Sequence, residues 1–174
     1  MNVNGLVEEI VTYSEKTDDG RFVIPISVDF DFTITACSSW EEGNIVENDH
    51  CFDIMKSLEK DFNCRFILNT LRTGDNLNKA IDFINSHGIE LYGIGRNPIQ
   101  DADGEISNKI FSIFDIDDKN IGVPLIYDKC DRPFVDWKAV NKKIRPILKA
   151  ICKELEKYEK KWRKIIITKC QRQR

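Results

Sequence analysis

The spacing of apolar positions changes period several times along the chain, and each change predicts an element. Residues 2–16 place Val3, Leu6, Val7, Ile10 and Val11 on one side, a helical period. Thr17-Asp-Asp-Gly20 interrupts it. Residues 22–28 come next, apolar at all but one of Phe22, Val23, Ile24, Ile26, Ser27 and Val28, and reading as a buried strand of a parallel sheet. A polar stretch over 36–48 predicts a loop. Asn48 or Asp49 is placed to cap a helix to about residue 62, with Phe52, Ile54, Met55, Leu58 and Phe62 inward. Residues 64–69 predict a second strand ending at Thr70. A helix opens at Gly74 or Asp75, buries Leu77, Ala80, Ile81 and Ile84, and stops at His87-Gly88. Further strands are expected over 89–94 and 110–116, separated by a turn and an acidic loop over 100–107. Beyond a loop containing Pro124 and Pro133, Asp136 caps a helix from Trp137, which Pro146 should kink or break before a second piece over 147–162.

Strands alternating with helices of about ten to fifteen residues imply right-handed β-α-β units. The expected fold is an α/β Rossmann-like three-layer sandwich with a mainly parallel sheet and a C-terminal helical extension. It forms one domain over 1–174, with its core at about 20–127 and basic helices at about 136–167.

Composition narrows the class. The 174 residues are 41% hydrophobic and 32% charged, which suits a water-soluble globular domain. No apolar run reaches the roughly 20 residues a membrane helix needs, so no membrane partner is expected. The six cysteines lack paired or zinc-like spacing. With no secretion signal at the N-terminus they read as reduced thiols of a cytoplasmic protein. The net charge of −3 hides an asymmetry: about half of the 26 Lys and Arg lie beyond Asn141. That segment could contact nucleic acid, or be the solvated face of a helix. Its stripe Ile147, Leu148, Ile151, Leu155, Tyr158, Trp162 and Ile165 is long enough to pack on the domain or on a second copy, as a homodimer.

The candidate chemistry sits where strands end. Asp29 and Asp31 close the first strand, Thr70 comes after the second, and Asp117 and Asp118 close the fourth. In a parallel sheet these endings share the carboxyl edge, where ligands of open α/β sheets bind. Carboxylates crowded there repel one another, and a divalent cation is the usual means of offsetting that cost.

Val28-Asp-Phe-Asp-Phe-Thr-Ile34, Ile67-Leu-Asn-Thr-Leu-Arg-Thr-Gly74, Lys109 and Ile113-Phe-Asp-Ile-Asp-Asp-Lys119 together resemble the four motifs of the haloacid dehalogenase-like (HAD) superfamily of phosphohydrolases, over roughly residues 22–126. The small bacterial or phage type with a minimal cap is the nearest in pattern. The resemblance implies a Mg²⁺-dependent phosphomonoester hydrolase. Asp29 would be the nucleophile that forms an aspartyl-phosphate, and Asp31 the general acid and then base. Thr70 and Lys109 would stabilise the transferring phosphoryl group. Asp29, the Asp31 carbonyl, Asp117 and Asp118 would make the metal site, and Arg72 would bind substrate through its fork. The position after Asp31, often Gly in the family, is Phe32 here. A small-molecule phosphate ester is the expected substrate. The alternatives are a catalytically silent binding module and a nucleic-acid-end phosphatase that uses the basic C-terminal segment.

Overall fold

The computed structural model describes residues 2–36, 45–100 and 107–172, with side chains to Lys161. Most of the stretch expected over 36–48, most of the acidic loop expected over 100–107, and the side chains of Trp162 and Ile165 lie outside the described residues.

The first helix, α1 (Asn4–Tyr13), buries Val7 and Ile10 and leads into β1 (Ile24–Val28), whose five residues are all buried. Burial on both faces is what a continuous apolar run requires, and it places β1 at the centre of the sheet. Strand β2 (Cys64–Leu68) pairs with it in parallel from Ile24↔Cys64 to Val28↔Leu68. On the other side β4 (Phe114–Ile116) pairs from Ile26↔Phe114 to Val28↔Ile116. Strand β3 (Gly93–Ile94) completes the order β3-β2-β1-β4, all parallel. The chain is therefore an α/β protein with a four-stranded parallel sheet flanked by helices, a Rossmann-like arrangement.

Two crossover helices keep to the expected stripes. Helix α2 (Cys51–Phe62) buries Phe52, Ile54, Met55, Leu58 and Phe62, and α3 (Gly74–Ser86) buries Ala80 and Ile84. Neither Asn48 nor Asp49 caps α2. The residue before its first turn is His50, in a left-handed conformation and without a side-chain cap, because Asn48 is used elsewhere. Helix α4 (Trp137–Arg172) begins as expected, with Asp136 Oδ1 accepting from the Ala139 N–H at 3.0 Å. It runs on as one helix through Pro146, so the expected break is absent. Trp137, Val140, Ile144, Leu148, Ile151 and Leu155 are all buried at helical spacing, and this contact with α1 and α2 outweighs one lost backbone bond. Arg145 strengthens the α2–α4 contact, donating to Asp61 at 2.8 Å and to Ser57, with its guanidinium over the Phe62 ring.

Two expected strands are shorter than their apolar runs. Strand β3 keeps only two of the six residues expected over 89–94, because the chain turns back at once: a Cβ on Gly93 would lie 2.0 Å from the Arg96 carbonyl oxygen. Strand β4 keeps three of the residues expected over 110–116. The segment before α4, expected to be a loop, forms an antiparallel hairpin from β5 (Leu125–Ile126) and β6 (Phe134–Val135). The thiols of Cys51, Cys64 and Cys152 are free, as expected. Cys130 departs from that expectation and is disulfide-bonded. Among the described residues no helix is long and apolar enough to cross a membrane.

Candidate active site

Register alone brings the chemistry together. Val28 lies between Leu68 and Ile116, and Leu68 pairs with Ile94. One step beyond the strand ends, Asp29 is therefore flanked by Asn69 on one side and Asp117 on the other. Backbone bonds extend the pairing to that level: the Asp29 N–H donates to Ile116 O at 3.0 Å, and the Asn69 N–H donates to Val28 O at 2.9 Å. The chain then leaves β1 in a wide turn over Phe30–Ile34, in which Phe32 takes φ +59°. A left-handed conformation is one that Gly adopts without strain. Here a Phe adopts it, with its ring 4.3 Å from the Arg132 guanidinium.

Carboxylate oxygens of Asp29, Asp117 and Asp118 come within 4.8 Å of one another. Burial pushes the Asp29 carboxyl up to about 7; the Phe30 N–H opposes this, and repulsion from Asp117, Asp31 and Asp118 adds to it. Asp117 Oδ1 accepts from the Lys119 N–H at 2.8 Å. The Asp118 side chain is only 5% exposed and accepts from Arg132 through Oδ2, while its buried Oδ1 has no partner among the described residues. An orphaned carboxylate oxygen beside two further carboxylates fits a hard cation that takes oxygen ligands.

Thr33 holds this arrangement from below. Its hydroxyl accepts from the Asp118 N–H at 3.1 Å, and its carbonyl accepts from Asn48 Nδ2 at 2.9 Å and Trp137 Nε1 at 2.8 Å. Asn48 also donates to Val135 O at 2.7 Å. An antiparallel bridge of Thr35 with Glu47 carries the chain away from the turn and returns it to Asn48.

The remaining predicted residues divide. Asp31 is not part of the three-carboxylate cluster; its side chain is held by Arg72, with Nε–Oδ2 2.9 Å and Nη2–Oδ1 2.6 Å. Arg72, expected to turn its fork on substrate, is itself buried. Thr70 is half-buried beyond β2, and its hydroxyl accepts from the Arg72 N–H at 3.3 Å. Lys109 makes no ion pair with the cluster among the described residues. It is exposed and lines a cavity of about 310 Å³ that Asn69, the residue beside Asp29, also lines, with Gly95, Asn108, Ile110 and Asp115. Sequence reasoning missed Asn69, Asn48, Thr33 and Arg132. Asn69 was open to discovery, since it precedes Thr70 at a strand end. Arg132 carried no signal, because it reaches the site only through the β5–β6 hairpin.

Comparison with known protein families and with characterised proteins finds no match. Among solved structures, the chain is similar to a conserved protein from Bacteroides thetaiotaomicron. The two share 27% identity with a TM-score of 0.55, over 71% of this chain and 91% of the other. That likeness supports the α/β architecture and brings no activity with it.

Proposed function

We propose that the chain is a Mg²⁺-dependent phosphomonoester hydrolase of HAD type, acting through an aspartyl-phosphate. The observation that carries this reading is the meeting of Asp29, Asp117 and Asp118 at the carboxyl edge of the sheet, with one buried carboxylate oxygen left without a partner among the described residues.

Asp29 attacks phosphorus in line, and the leaving oxygen takes a proton from Asp31. Asp31 then removes a proton from the water that opens the aspartyl-phosphate, releasing phosphate and regenerating Asp29. Thr70 donates to a phosphoryl oxygen, and Lys109, from the cavity beside Asn69, offsets charge as the transition state forms. Asp29, Asp117, Asp118 and the Asp31 carbonyl are the residues that would hold Mg²⁺. When bound, the ion supplies charge neutralisation between the attacking carboxylate and the phosphate.

The test is hydrolysis of p-nitrophenyl phosphate with Mg²⁺, with EDTA, and by Asp29→Asn. Turnover that requires the metal and falls by roughly a thousandfold or more in the variant is expected. Turnover that persists in Asp29→Asn would remove the covalent mechanism. Absence of both turnover and calorimetric Mg²⁺ binding would remove the hydrolase reading.

A further inference from the structure

Arg72 lies two residues beyond Thr70 and 41 residues from Asp31 in sequence, yet the two side chains form a forked pair through both carboxylate oxygens. Its burial is unusual for an arginine at the carboxyl edge of a sheet: 5% of the residue is exposed, and the guanidinium sits 4.6 Å from the Phe30 ring. Phe30 is fully buried and meets Phe83 of α3 edge-on, with ring centroids 6.0 Å apart. The guanidinium is thus fixed on one face by a ring that cannot move without disturbing the core. The Arg72 N–H, donating to Thr70 Oγ1, ties the same residue to the second predicted catalytic side chain.

We propose that Arg72 is a positioning residue for Asp31, fixing the plane and direction of the carboxyl group that exchanges protons with the leaving oxygen and with water. This role rests on the hydrolase reading above. Asp31 stands in the turn next to Phe32, whose left-handed backbone redirects the chain. The turn orders the backbone but leaves two side-chain torsions of Asp31 to be set. A planar fork sets both at once, and a lysine, with a single rotating ammonium, cannot do so. As the bond from Asp29 oxygen to phosphorus forms, the bond from phosphorus to the leaving oxygen breaks and its electron pair stays on that oxygen. The proton must arrive from a donor already aimed there. Arg72 acts through Asp31 and does not touch substrate.

Leaving-group dependence separates this role from a structural or substrate-binding one. 2,4-Dinitrophenolate departs without protonation, whereas an alkoxide from an alkyl phosphate does not. With Mg²⁺ present, Arg72→Lys should lower kcat/KM for glycerol phosphate by roughly 10- to 100-fold and for 2,4-dinitrophenyl phosphate by less than about threefold. The same change made on top of Asp31→Asn should cost the alkyl substrate nothing further. Folding is monitored by thermal melting, and the pair itself by the Arg72 Nε–H resonance, which should shift in Asp31→Asn. Equal losses on both substrates, or a raised KM with kcat unchanged, would overturn the proposal while leaving the hydrolase intact. A wild-type chain that turns over neither substrate and binds no Mg²⁺ by calorimetry would remove the hydrolase reading, and this role with it.

Discussion

Replacing Asp29 with Asn should make the metal-free protein more stable, and increasingly so as pH rises. Folded Asp29 keeps its proton to about pH 7, whereas an unfolded aspartate releases it near 3.8. Between those values the folded state binds more protons, so stability is fully present below the unfolded value and is lost as pH rises through the folded one. The interval corresponds to about 4 kcal/mol at about 1.4 kcal/mol per tenfold, and screening of the water-facing part of the carboxylate reduces this to about 2 kcal/mol. For a chain of this length that is about 4–8 °C in Tm. The assay is thermal denaturation of both proteins in EDTA at pH 4 and pH 8. The variant should melt close to the wild type at pH 4 and several degrees above it at pH 8, and taking the difference cancels titration of the groups that do not interact with Asp29. Added Mg²⁺ should reverse the order at pH 8. A gap that is the same at both pH values would refute the placement of Asp29 as a buried, repelled carboxyl.

Asp118→Asn should weaken calorimetric Mg²⁺ binding by about 10- to 100-fold, because it removes charge from one of the three clustered carboxylates; unchanged affinity would move the metal elsewhere. Asn48→Ala should lower stability by about 2–4 kcal/mol in urea denaturation, since the Thr33 and Val135 carbonyls both lose a buried donor. Phe32→Gly should be more stable than Phe32→Ala by about 1 kcal/mol, as both lose the ring and only Gly accepts φ +59° without strain. Gly93→Ala should lower Tm by several degrees, because its Cβ has no room beside the Arg96 carbonyl.

The sheet was legible because β1 and β2 are short, mainly apolar runs, broken only by Ser27 and Arg65, and because their alternation with α2 and α3 permits few topologies. The carboxyl-edge convergence of Asp29 and Asp117 came from the same pattern: in-register parallel strands make the residue after each strand a neighbour of the next. What stayed hidden depended on tertiary contacts. Pro146 reads locally as a breaker, but the buried face of α4 overrides it. The β5–β6 hairpin has only two paired residues per strand, too few for periodicity to register, and so its Arg132 could not be placed. Asn48 reads as a cap, yet its amide serves two distant carbonyls, a choice no local spacing reveals. The Arg72–Asp31 pair joins two loops, and nothing in either loop names the other.

The convergence on Thr33 has a practical consequence for trimming the chain. Trp137, in the first turn of α4, is a hydrogen-bond donor to the backbone beside the acidic cluster, and the last described buried position of that helix is Leu155. A C-terminal deletion that removes the helix to rid the protein of its basic charge therefore takes a strut out of the carboxyl edge. One that ends near Lys160 keeps every described strut and sheds Lys161, Arg163, Lys164, Lys169, Arg172 and Arg174. The proximal part of α4 thus belongs to the scaffold of the acidic site, and only the distal part of the basic charge can be cut away separately from it.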